Sequence, residues 1–320
     1  MPFLPEQRWR QVSKCAVRVM RTRFVLFNFI SRVFHILTSQ LKKLKNATME
    51  AAKLFNVRDQ VVAITGAASG IGLGYAKVMA SNGARLALMD INANNLEAAV
   101  ALLKESGADV RGYVTDVTQP ESLHMAFQQA IENYKQLDVV FANAGISGGP
   151  GFLKGSGERN PEGEVENLSA ETWHRVFETN VTSLFLTLQA VVPQMKKQGS
   201  GRIIVTSSIS ASMAETLVSS IYATSKGTVG HMVRQYALEL AKYGILVNAI
   251  SPGPVITNIG GGRLKQAESR RPFERAAPLG RIADPTDLYG AALFLASSAS
   301  AMITGTQIVI DGGRLLGSAD

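Results

Sequence analysis

Tyr222 and Lys226 stand four residues apart in a segment with helical periodicity. A spacing of four places a phenol and an ammonium group on one face of a helix. In that position the cation would favour the phenolate and lower the tyrosine pKa towards a range useful for general acid–base catalysis. Most Tyr-x-x-x-Lys pairs are solvated helix faces, so the pair indicates chemistry only in company with other groups.

A glycine-rich turn, TGAASGIG, lies between the strand-like run Val61–Ile64 and the helical segment Ile71–Met79. In the order strand, turn, helix, the backbone can approach a pyrophosphate closely, and the helix N-terminus offers unpaired N–H groups. Gly66 permits the tight turn, Gly70 leaves room for phosphate, and Gly72 lets the helix pack on the strand. The alternative is a loop that only reverses the chain.

Polar side chains follow three of the strand-like runs. Asp90 closes the second run, 18 residues beyond Gly72, where a carboxylate can accept hydrogen bonds from an adenosine ribose. Asp116 follows the third run and could bind an adenine amino group, and Asn143 follows the fourth and could tie neighbouring strands together. All three also fit ordinary turns and helix caps.

The elements that must position these groups alternate along the chain. Strand-like runs, several of them continuously apolar, occur at Val61–Ile64, Arg85–Asp90, Asp109–Val114, Leu137–Ala142, Arg202–Ser207, Ile245–Ile250 and Gln307–Ile310. Helical patterns follow at Ile71–Met79, Asn94–Glu105, Glu121–Tyr134, Glu171–Lys197, Ser220–Tyr243 and Thr286–Leu295. Strands separated by helices predict an α/β fold with a single doubly wound, seven-stranded parallel sheet, a Rossmann fold. Ligands bind such sheets beyond the carboxyl ends of the strands.

The net charge of +8 is confined to the N-terminal part of the chain. Residues 1–48 contain ten Lys or Arg and one acid, so they carry +9 and leave −1 for residues 49–320. The near-neutral remainder gives no reason to expect nucleic acid as a partner. Cys15, the single cysteine, also lies in the extension, which excludes a disulfide framework and fits a reducing intracellular compartment. We predict a basic, poorly ordered extension over 1–48 and one domain over 49–320.

The extension has two interpretations of equal weight. It is arginine-rich and nearly free of acids, with charged and apolar residues on opposite helical faces, as in a transit peptide, which would give a mitochondrial location. Alternatively it is a dispensable leader before Met49 of a cytoplasmic protein. Arg32 and His35 interrupt the apolar stretch Phe24–Ile30, so we predict no transmembrane span.

The motifs together identify a family. In order, the chain contains TGAASGIG, Asp90, NAG at 143–145, Asn180, Ser208, YATSK at 222–226, SPGPVIT at 251–257 and IDGG at 310–313. From about Phe55 to the C-terminus it resembles a short-chain dehydrogenase/reductase. The resemblance implies an NAD(P)-dependent oxidoreductase that interconverts an alcohol with a ketone or aldehyde. A biosynthetic intermediate is one candidate substrate. A non-catalytic Rossmann-fold binding or scaffold protein is the alternative.

The resemblance also implies the role of each site residue. Tyr222 would be the general acid/base, Lys226 would stabilise the phenolate and bind the nicotinamide ribose, and Ser208 would orient the substrate oxygen. Asn180 would support a water that relays protons to Lys226. The implied cofactor contacts are Gly66, Ser69, Ile71, Asp90, Asp116, Asn143, Tyr222, Lys226, Val255 and Thr257. Family members pair long helices between subunits, so a homodimer or homotetramer is expected.

Asp90 predicts a preference for NAD. Its carboxylate would accept bonds from both ribose hydroxyls of NAD and would repel the 2′-phosphate of NADP. No Lys or Arg occurs in 90–95 or 66–72 to bind that phosphate, although NADP is not excluded. The four histidines lack metal-ligand spacing, so no metal site is expected.

Three features depart from the family pattern. The interval from Ser208 to Tyr222 is one residue longer than in many members, which leaves Ser207 and Ser210 as lesser candidates for the orienting serine. Ser147–Asn167 is a Gly/Pro-rich insertion, which we interpret as a wall of the substrate site in slight preference to a floppy surface loop. Ala142 replaces the first asparagine of Asn-Asn-Ala-Gly.

The segment 254–281 contains six cations and two acids and follows Pro252-Gly253. With Gly260–Gly262 as a hinge it could close over an anionic substrate. A solvated basic helix is the favoured alternative, since exposed charge usually has no specific partner.

Overall fold

Seven strands form a single parallel sheet in the order β3-β2-β1-β4-β5-β6-β7. The computed structural model describes residues 51–317, and the chain divides into two units, Met1–Leu54 and Phe55–Asp320. The extension predicted for residues 1–48 lies outside the described residues. The strands are β1 (Val61–Thr65), β2 (Arg85–Asp90), β3 (Val110–Val114), β4 (Val139–Ala142), β5 (Gly201–Thr206), β6 (Ile245–Pro252) and β7 (Gln307–Ile310).

Helices connect the strands and cover both faces of the sheet. They are α1 (Ala51–Leu54), α2 (Gly70–Ser81), α3 (Ala93–Glu105), α4 (Pro120–Tyr134), α5 (Ala170–Phe177), α6 (Ser183–Gln198), α7 (Ser220–Leu240), α8 (Ala267–Arg275) and α9 (Tyr289–Ala296). The first, α1, belongs to the N-terminal unit. Among residues 51–317, no helix combines the length and the apolarity that a membrane span requires.

Burial on both faces explains why the strands are apolar without alternation. All five residues of β1 and all four of β4 are buried, and each face of the sheet packs against its own apolar cluster of helices. On one face the ring of Tyr75 from α2 stacks on Phe141 of β4, with centroids 4.6 Å apart. This packing fixes α2, and with it the glycine turn, against the centre of the sheet.

Local sequence signals set several helix ends. Asn92 and Ser169 cap α3 and α5 by accepting the backbone N–H groups of Asn95 and Thr172. Pro120 occupies the first turn of α4, where its missing N–H costs nothing. These signals lie in the connections that follow the strands, and they set where each helix leaves the sheet edge.

The predicted fold class is confirmed, and all seven predicted strands are present within two residues of their expected ends. One prediction was wrong: Glu171–Lys197 is not a uniform α-helix. A π-helical turn, Glu178–Thr182, separates α5 from α6. The apolar periodicity carries across this turn, so the sequence pattern does not reveal it. Helix α8 lies in the basic segment, as the alternative for that segment predicted.

Gly72 provides a test of the packing between the glycine turn and the sheet. A Cβ there would lie 2.1 Å from Gly66 O and 2.6 Å from Asn143 Nδ2. We expect Gly72→Ala to lower the free energy of unfolding by about 1–3 kcal/mol, because this crowding cannot be relieved without moving backbone. Urea denaturation measures the change.

Gly290→Ala is the matched control. Gly290 lies exposed in α9, with open space around its added Cβ, so alanine should be neutral or stabilise by up to about 1 kcal/mol. Equal effects of the two substitutions would contradict the close packing at Gly72.

Candidate active site

A cleft of about 760 Å³ opens at the carboxyl ends of the strands. Eleven of the twelve predicted site residues line it: Gly66, Ser69, Ile71, Asp90, Asp116, Asn143, Ser208, Tyr222, Lys226, Val255 and Thr257. These residues come from seven separate segments of the chain, and the parallel sheet delivers all of them to the same edge. The twelfth, Asn180, lies behind the cleft beside Lys226.

The glycine turn has the geometry that a pyrophosphate site needs. Gly66 and Gly70 have φ of 64° and 53°, in the left-handed region that favours glycine. Ser69 is the N-cap residue of α2, and its hydroxyl makes no capping bond. The N-terminus of a twelve-residue helix and an uncommitted hydroxyl therefore face the cleft, an arrangement that suits phosphate oxygens.

Asp90 both lines the cleft and braces the turn. Its Oδ2 accepts the Ala68 N–H at 2.9 Å, and its Oδ1 accepts the Asn92 N–H at 3.0 Å. Asp116 is held in a similar way, since its Oδ1 accepts bonds from the backbone and hydroxyl of Thr118 at 2.9 and 2.7 Å. Each acid therefore combines the turn role and the cleft position that the sequence left as alternatives.

Asn143 ties three strands together, as its position predicted. Its Nδ2 donates to Thr65 O and Gly66 O, each at 3.1 Å, and its Oδ1 accepts from Thr206 Oγ1 at 2.9 Å. Asn143 makes these bonds although Ala142 stands where the Asn-Asn-Ala-Gly pattern has its first asparagine.

Tyr222 and Lys226 lie together, but burial decides their pKa values. Burial raises the pKa of Tyr222 to about 12; the Ser208 hydroxyl beside the phenol lowers it in part, and the charge of Glu215 raises it. Burial also lowers the pKa of Lys226 to about 8. Lys226 Nζ lies 5.7 Å from the centroid of the Tyr222 ring and donates to Thr206 O at 2.8 Å. The spacing predicted a lowered tyrosine pKa, but in the protein alone burial raises that pKa, and the charge that acts on the phenol is that of Glu215 rather than Lys226.

Ser208 is the serine that contacts the Tyr222 phenol. Its Oγ donates to Ser210 Oγ at 3.1 Å and accepts the Ser210 N–H at 3.2 Å. Ser207 also lines the cleft, and its buried hydroxyl has no hydrogen-bond partner among the described residues. The structure thus gives the three candidate serines different environments: Ser208 contacts the phenol, Ser210 bonds to Ser208, and the Ser207 hydroxyl is buried without a partner among the described residues.

Asn180 sits in the π-helical turn, buried, and its amide is fully engaged. Oδ1 accepts the Ile146 N–H at 2.8 Å, and Nδ2 donates to Ile146 O and Ser225 Oγ, each at 3.1 Å. A cavity of about 10 Å³, lined by Asn180 and Lys226 among others, lies alongside. That volume is about what one water requires, and the lining is polar enough to hold it. π-turns are frequent at functional sites.

The insertion after β4 is folded against the cleft wall. Pro150 pairs with Val218 and Leu153 with Arg159 as antiparallel bridges, and the Leu153 N–H donates to Thr216 O at 3.0 Å. Ser147 and Gly149 line the cleft directly. The insertion therefore packs against residues 216–218 of the cleft wall, and its role as a wall of the substrate site stays a prediction.

The basic segment contributes one cation to the cleft. Of its six Lys and Arg residues, Arg263 lines the cleft; Arg270 pairs with Glu274 at 3.3 Å, and Arg281 forms a bidentate pair with Asp287 at 2.6 and 2.8 Å. Gly260, Gly261 and Gly262 all adopt left-handed backbone. This distribution favours the solvated-helix interpretation of the segment over an anion site.

Sequence reasoning missed an ionised pair in the wall of the cleft. Glu215 lines the cleft, and Arg314 binds it from the last turn of the described chain. Neither residue belongs to a spaced motif, and 99 positions separate them. An acid in the interval between Ser208 and Tyr222 was the one available signal.

Comparisons with known proteins agree with this geometry. A family model described as enoyl-(acyl carrier protein) reductase matches residues 66–314. L-rhamnose-1-dehydrogenase of Scheffersomyces stipitis is 33% identical over 258 residues, covering 79% of this chain and 95% of the relative. Cyclopentanol dehydrogenase of Comamonas sp. is 33% identical over 257 residues, covering 80% and 97%.

Solved structures share the fold. A short-chain type dehydrogenase/reductase from Mycobacterium marinum superposes with a TM-score of 0.75 at 33% identity, covering 83% of this chain and 99% of its own. A Brucella melitensis 3-ketoacyl-(acyl-carrier-protein) reductase complexed with NADH gives 0.72 at 27% identity, covering 81% and 99%. A Burkholderia cenocepacia gluconate 5-dehydrogenase in complex with NADP and tartrate gives 0.74 at 27%, covering 83% and 99%.

The buried lysine predicts a pH-dependent stability difference. Burial lowers the pKa of Lys226 from 10.5 to about 8, so between these pH values the unfolded chain binds a proton that the folded chain does not. Stability from this group therefore rises with pH across that window. We expect the unfolding free energy of the wild type, relative to Lys226→Met, to increase by about 2 kcal/mol from pH 7 to pH 9.5.

Urea denaturation at both pH values measures this difference. Lys77→Met, which removes an exposed lysine from α2, controls for the loss of a charge. A Lys226→Met difference that does not vary with pH would show that the ammonium group is solvated.

Proposed function

The chain belongs to the short-chain dehydrogenase/reductase family, and from that membership we propose that it interconverts a secondary alcohol and its ketone at Tyr222, with NAD preferred over NADP. It is an NAD(P)-dependent oxidoreductase acting on CH–OH groups, and its relatives include L-rhamnose-1-dehydrogenase and cyclopentanol dehydrogenase. One observation carries the assignment of the site: the Tyr222 phenol, the Ser208 hydroxyl and Lys226 converge in the cleft that the glycine turn also lines.

The residues divide the proton chemistry among them. When bound, oxidised nicotinamide accepts the hydride and brings a positive charge to the cleft. Tyr222 takes the proton of the alcohol, and Ser208 holds the substrate oxygen beside the phenol. Lys226 Nζ, 5.7 Å from the centroid of the Tyr222 ring, would stabilise the phenolate, and a water in the cavity beside Asn180 would connect Lys226 to further proton carriers. Because Tyr222 and Lys226 are buried, each of these charges has a stronger effect than it would have in water.

A non-catalytic scaffold is the weaker candidate. A scaffold has no use for a lysine buried to 5% exposure beside a phenol, since burying an ammonium group costs folding energy. The named dehydrogenase relatives also support an enzyme. The cleft walls include Ile146, Val218 and Phe273, which fits a small or medium, partly apolar substrate.

NAD preference is supported by the position of Asp90 at the cleft. A 2′-phosphate there would meet a like charge, and neither 66–72 nor 90–95 contains a cation to offset it. The structural relatives do not decide the matter, because one was solved with NADH and another with NADP.

A homodimer or homotetramer is supported by exposed apolar side chains on α5, α6 and α7. The rings of Trp173 and Phe177 stack with centroids 4.3 Å apart, yet Trp173 stays 41% exposed. Phe185 is also 41% exposed, and Leu238 is 79% exposed.

We propose the catalytic domain as residues 49–320. A cytoplasmic location and a mitochondrial one both remain compatible with the basic extension.

Replacing Tyr222 tests the catalytic assignment. Tyr222→Phe should keep the fold and cofactor binding and lower kcat by about 10²–10⁴-fold, because general acid–base catalysis contributes that much. Steady-state turnover of alcohols and ketones, with binding of the reduced cofactor followed by fluorescence, separates the two effects. Tyr243→Phe removes a phenol outside the cleft and is the control. Near-normal turnover of Tyr222→Phe would refute the assignment.

Asp90→Asn tests the cofactor preference. The amide keeps one acceptor for the turn but loses the charge, so the ratio of kcat/KM with NAD to that with NADP should fall roughly 10- to 100-fold. Asp109→Asn is the control. Asp109 precedes β3 at the amino ends of the strands, away from the cleft, so its replacement should leave the ratio unchanged. A wild type that prefers NADP, or an unchanged ratio in Asp90→Asn, would show that Asp90 does not bind the ribose.

A further inference from the structure

Glu215 and Arg314 form a buried ion pair in the wall of the cleft. Arg314 Nη2 lies 3.2 Å from Glu215 Oε2, and the two side chains are only 7% and 3% exposed. Glu215 lines the same cleft as Tyr222 and Ser208. The proton chemistry proposed above uses neither member of this pair.

Stability does not explain the pair. Removing two charges from water costs about as much as their attraction returns, and apolar residues of similar size often replace such pairs without loss. Arg314 is also incompletely paired: its Nε and Nη1 have no hydrogen-bond partner among residues 51–317, and its guanidinium lies over the Phe273 ring at 5.4 Å. The arrangement indicates a site that requires a carboxylate at this point in the wall.

A chain of two hydrogen bonds connects Glu215 to Ser208, the serine proposed to orient the substrate oxygen. Ser208 Oγ donates to Ser210 Oγ at 3.1 Å, and Ser210 Oγ donates to Glu215 Oε1 in a short bond. After the larger effect of burial, the charge of Glu215 also raises the pKa of Tyr222, which requires the carboxylate to lie near the phenol. A substrate oxygen held between Ser208 and Tyr222 would therefore lie in the same part of the cleft as Glu215.

The chemistry of the carboxylate selects a hydrogen-bond donor. An ionised carboxylate accepts only, at about four lone-pair positions, and Ser210 and Arg314 occupy two of them. Arg314 balances its charge, and Arg263 brings further positive charge to the same cleft. These cations disfavour an ammonium group and favour a neutral hydroxyl.

We propose that Glu215 binds a second substrate hydroxyl, on the carbon next to the reacting carbinol, so that the preferred substrates are vicinal diols and larger polyols. The reaction is unchanged: the carbinol carbon gives a hydride to NAD⁺, its hydroxyl proton passes to Tyr222, and the product is an α-hydroxy ketone. The second hydroxyl donates to Glu215 throughout and is not oxidised. This inference rests on the proposed roles of Tyr222 and Ser208.

Paired alcohols test the inference with each cofactor in turn. Butane-2,3-diol is compared with butan-2-ol, and cis-cyclohexane-1,2-diol with cyclohexanol, so that each pair differs by one hydroxyl. We expect kcat/KM to favour the diol by about 10²-fold or more, because a site built to bind a hydroxyl rejects the analogue that lacks it. 2-Aminocyclohexanol, which presents an ammonium group instead, should be a poorer substrate than the diol.

Three variants separate direct binding from an effect through Ser208. Glu215→Gln keeps an acceptor without charge, and the diol preference should fall about 10-fold. The double variant Glu215→Leu/Arg314→Met replaces the pair by apolar residues, which protects the fold, and the preference should fall close to unity. Ser210→Ala breaks the chain to Ser208 but leaves the carboxylate, so the preference should persist. Glu97→Gln, on the exposed face of α3, is the matched control.

The outcomes distinguish this inference from the proposed function. Oxidation of diols and monohydric alcohols with equal efficiency overturns the inference and leaves the oxidoreductase assignment standing. Oxidation of no alcohol with either cofactor overturns both. Loss of the diol preference in Ser210→Ala to the same extent as in Glu215→Gln would show that Glu215 acts by positioning Ser208, and a preference for the amino alcohol would show that it binds charge.

Discussion

The hydrogen bonds of one amide side chain hold the site together. Asn143 binds the carboxyl ends of β1 and β5 from the end of β4, at the point where the strand order reverses between β1 and β4. Strands on either side of such a reversal lead their connections in opposite directions, and a crevice opens between them. Asn143 prevents the strand ends from separating there, so the glycine turn and the loop after β5 stay on opposite sides of the same cleft.

Burial gives that cleft its chemistry. The same desolvation acts on Tyr222 and Lys226 in opposite directions, because it disfavours a phenolate and an ammonium group alike. Both groups are thereby held closer to their neutral forms, and each responds to any charge brought into the cleft. Ser208 adds a hydrogen bond to the phenol, and Glu215 adds a negative charge near it. The proton affinity of Tyr222 is therefore a balance among burial, one hydrogen bond and the charge of Glu215.

The wall opposite the glycine turn is built from distant segments. The insertion after β4 pairs with residues 216–218, Phe273 comes from α8, and Arg314 comes from the turn that follows β7. In that turn Asp311 accepts the N–H groups of Gly313 and Leu315, and this fixes the direction in which Arg314 reaches Glu215. The family motif IDGG thus has a local structural task in this chain, because it places the Arg314 cation against Glu215 in the wall of the cleft.

The sequence alone determined the sheet, the glycine turn and the pairing of Tyr222 with Lys226, because each is encoded in neighbouring residues: apolar runs, glycines where φ is positive, and a phenol and a lysine four apart. Strand order then brought the remaining predicted residues to one edge. Only the tertiary structure decided the direction of the Tyr222 pKa, the π-turn that holds Asn180, and the contact of Glu215 with Arg314. Burial depends on what packs over a residue, a π-turn leaves the apolar period intact, and an ion pair across 99 residues has no spacing to detect.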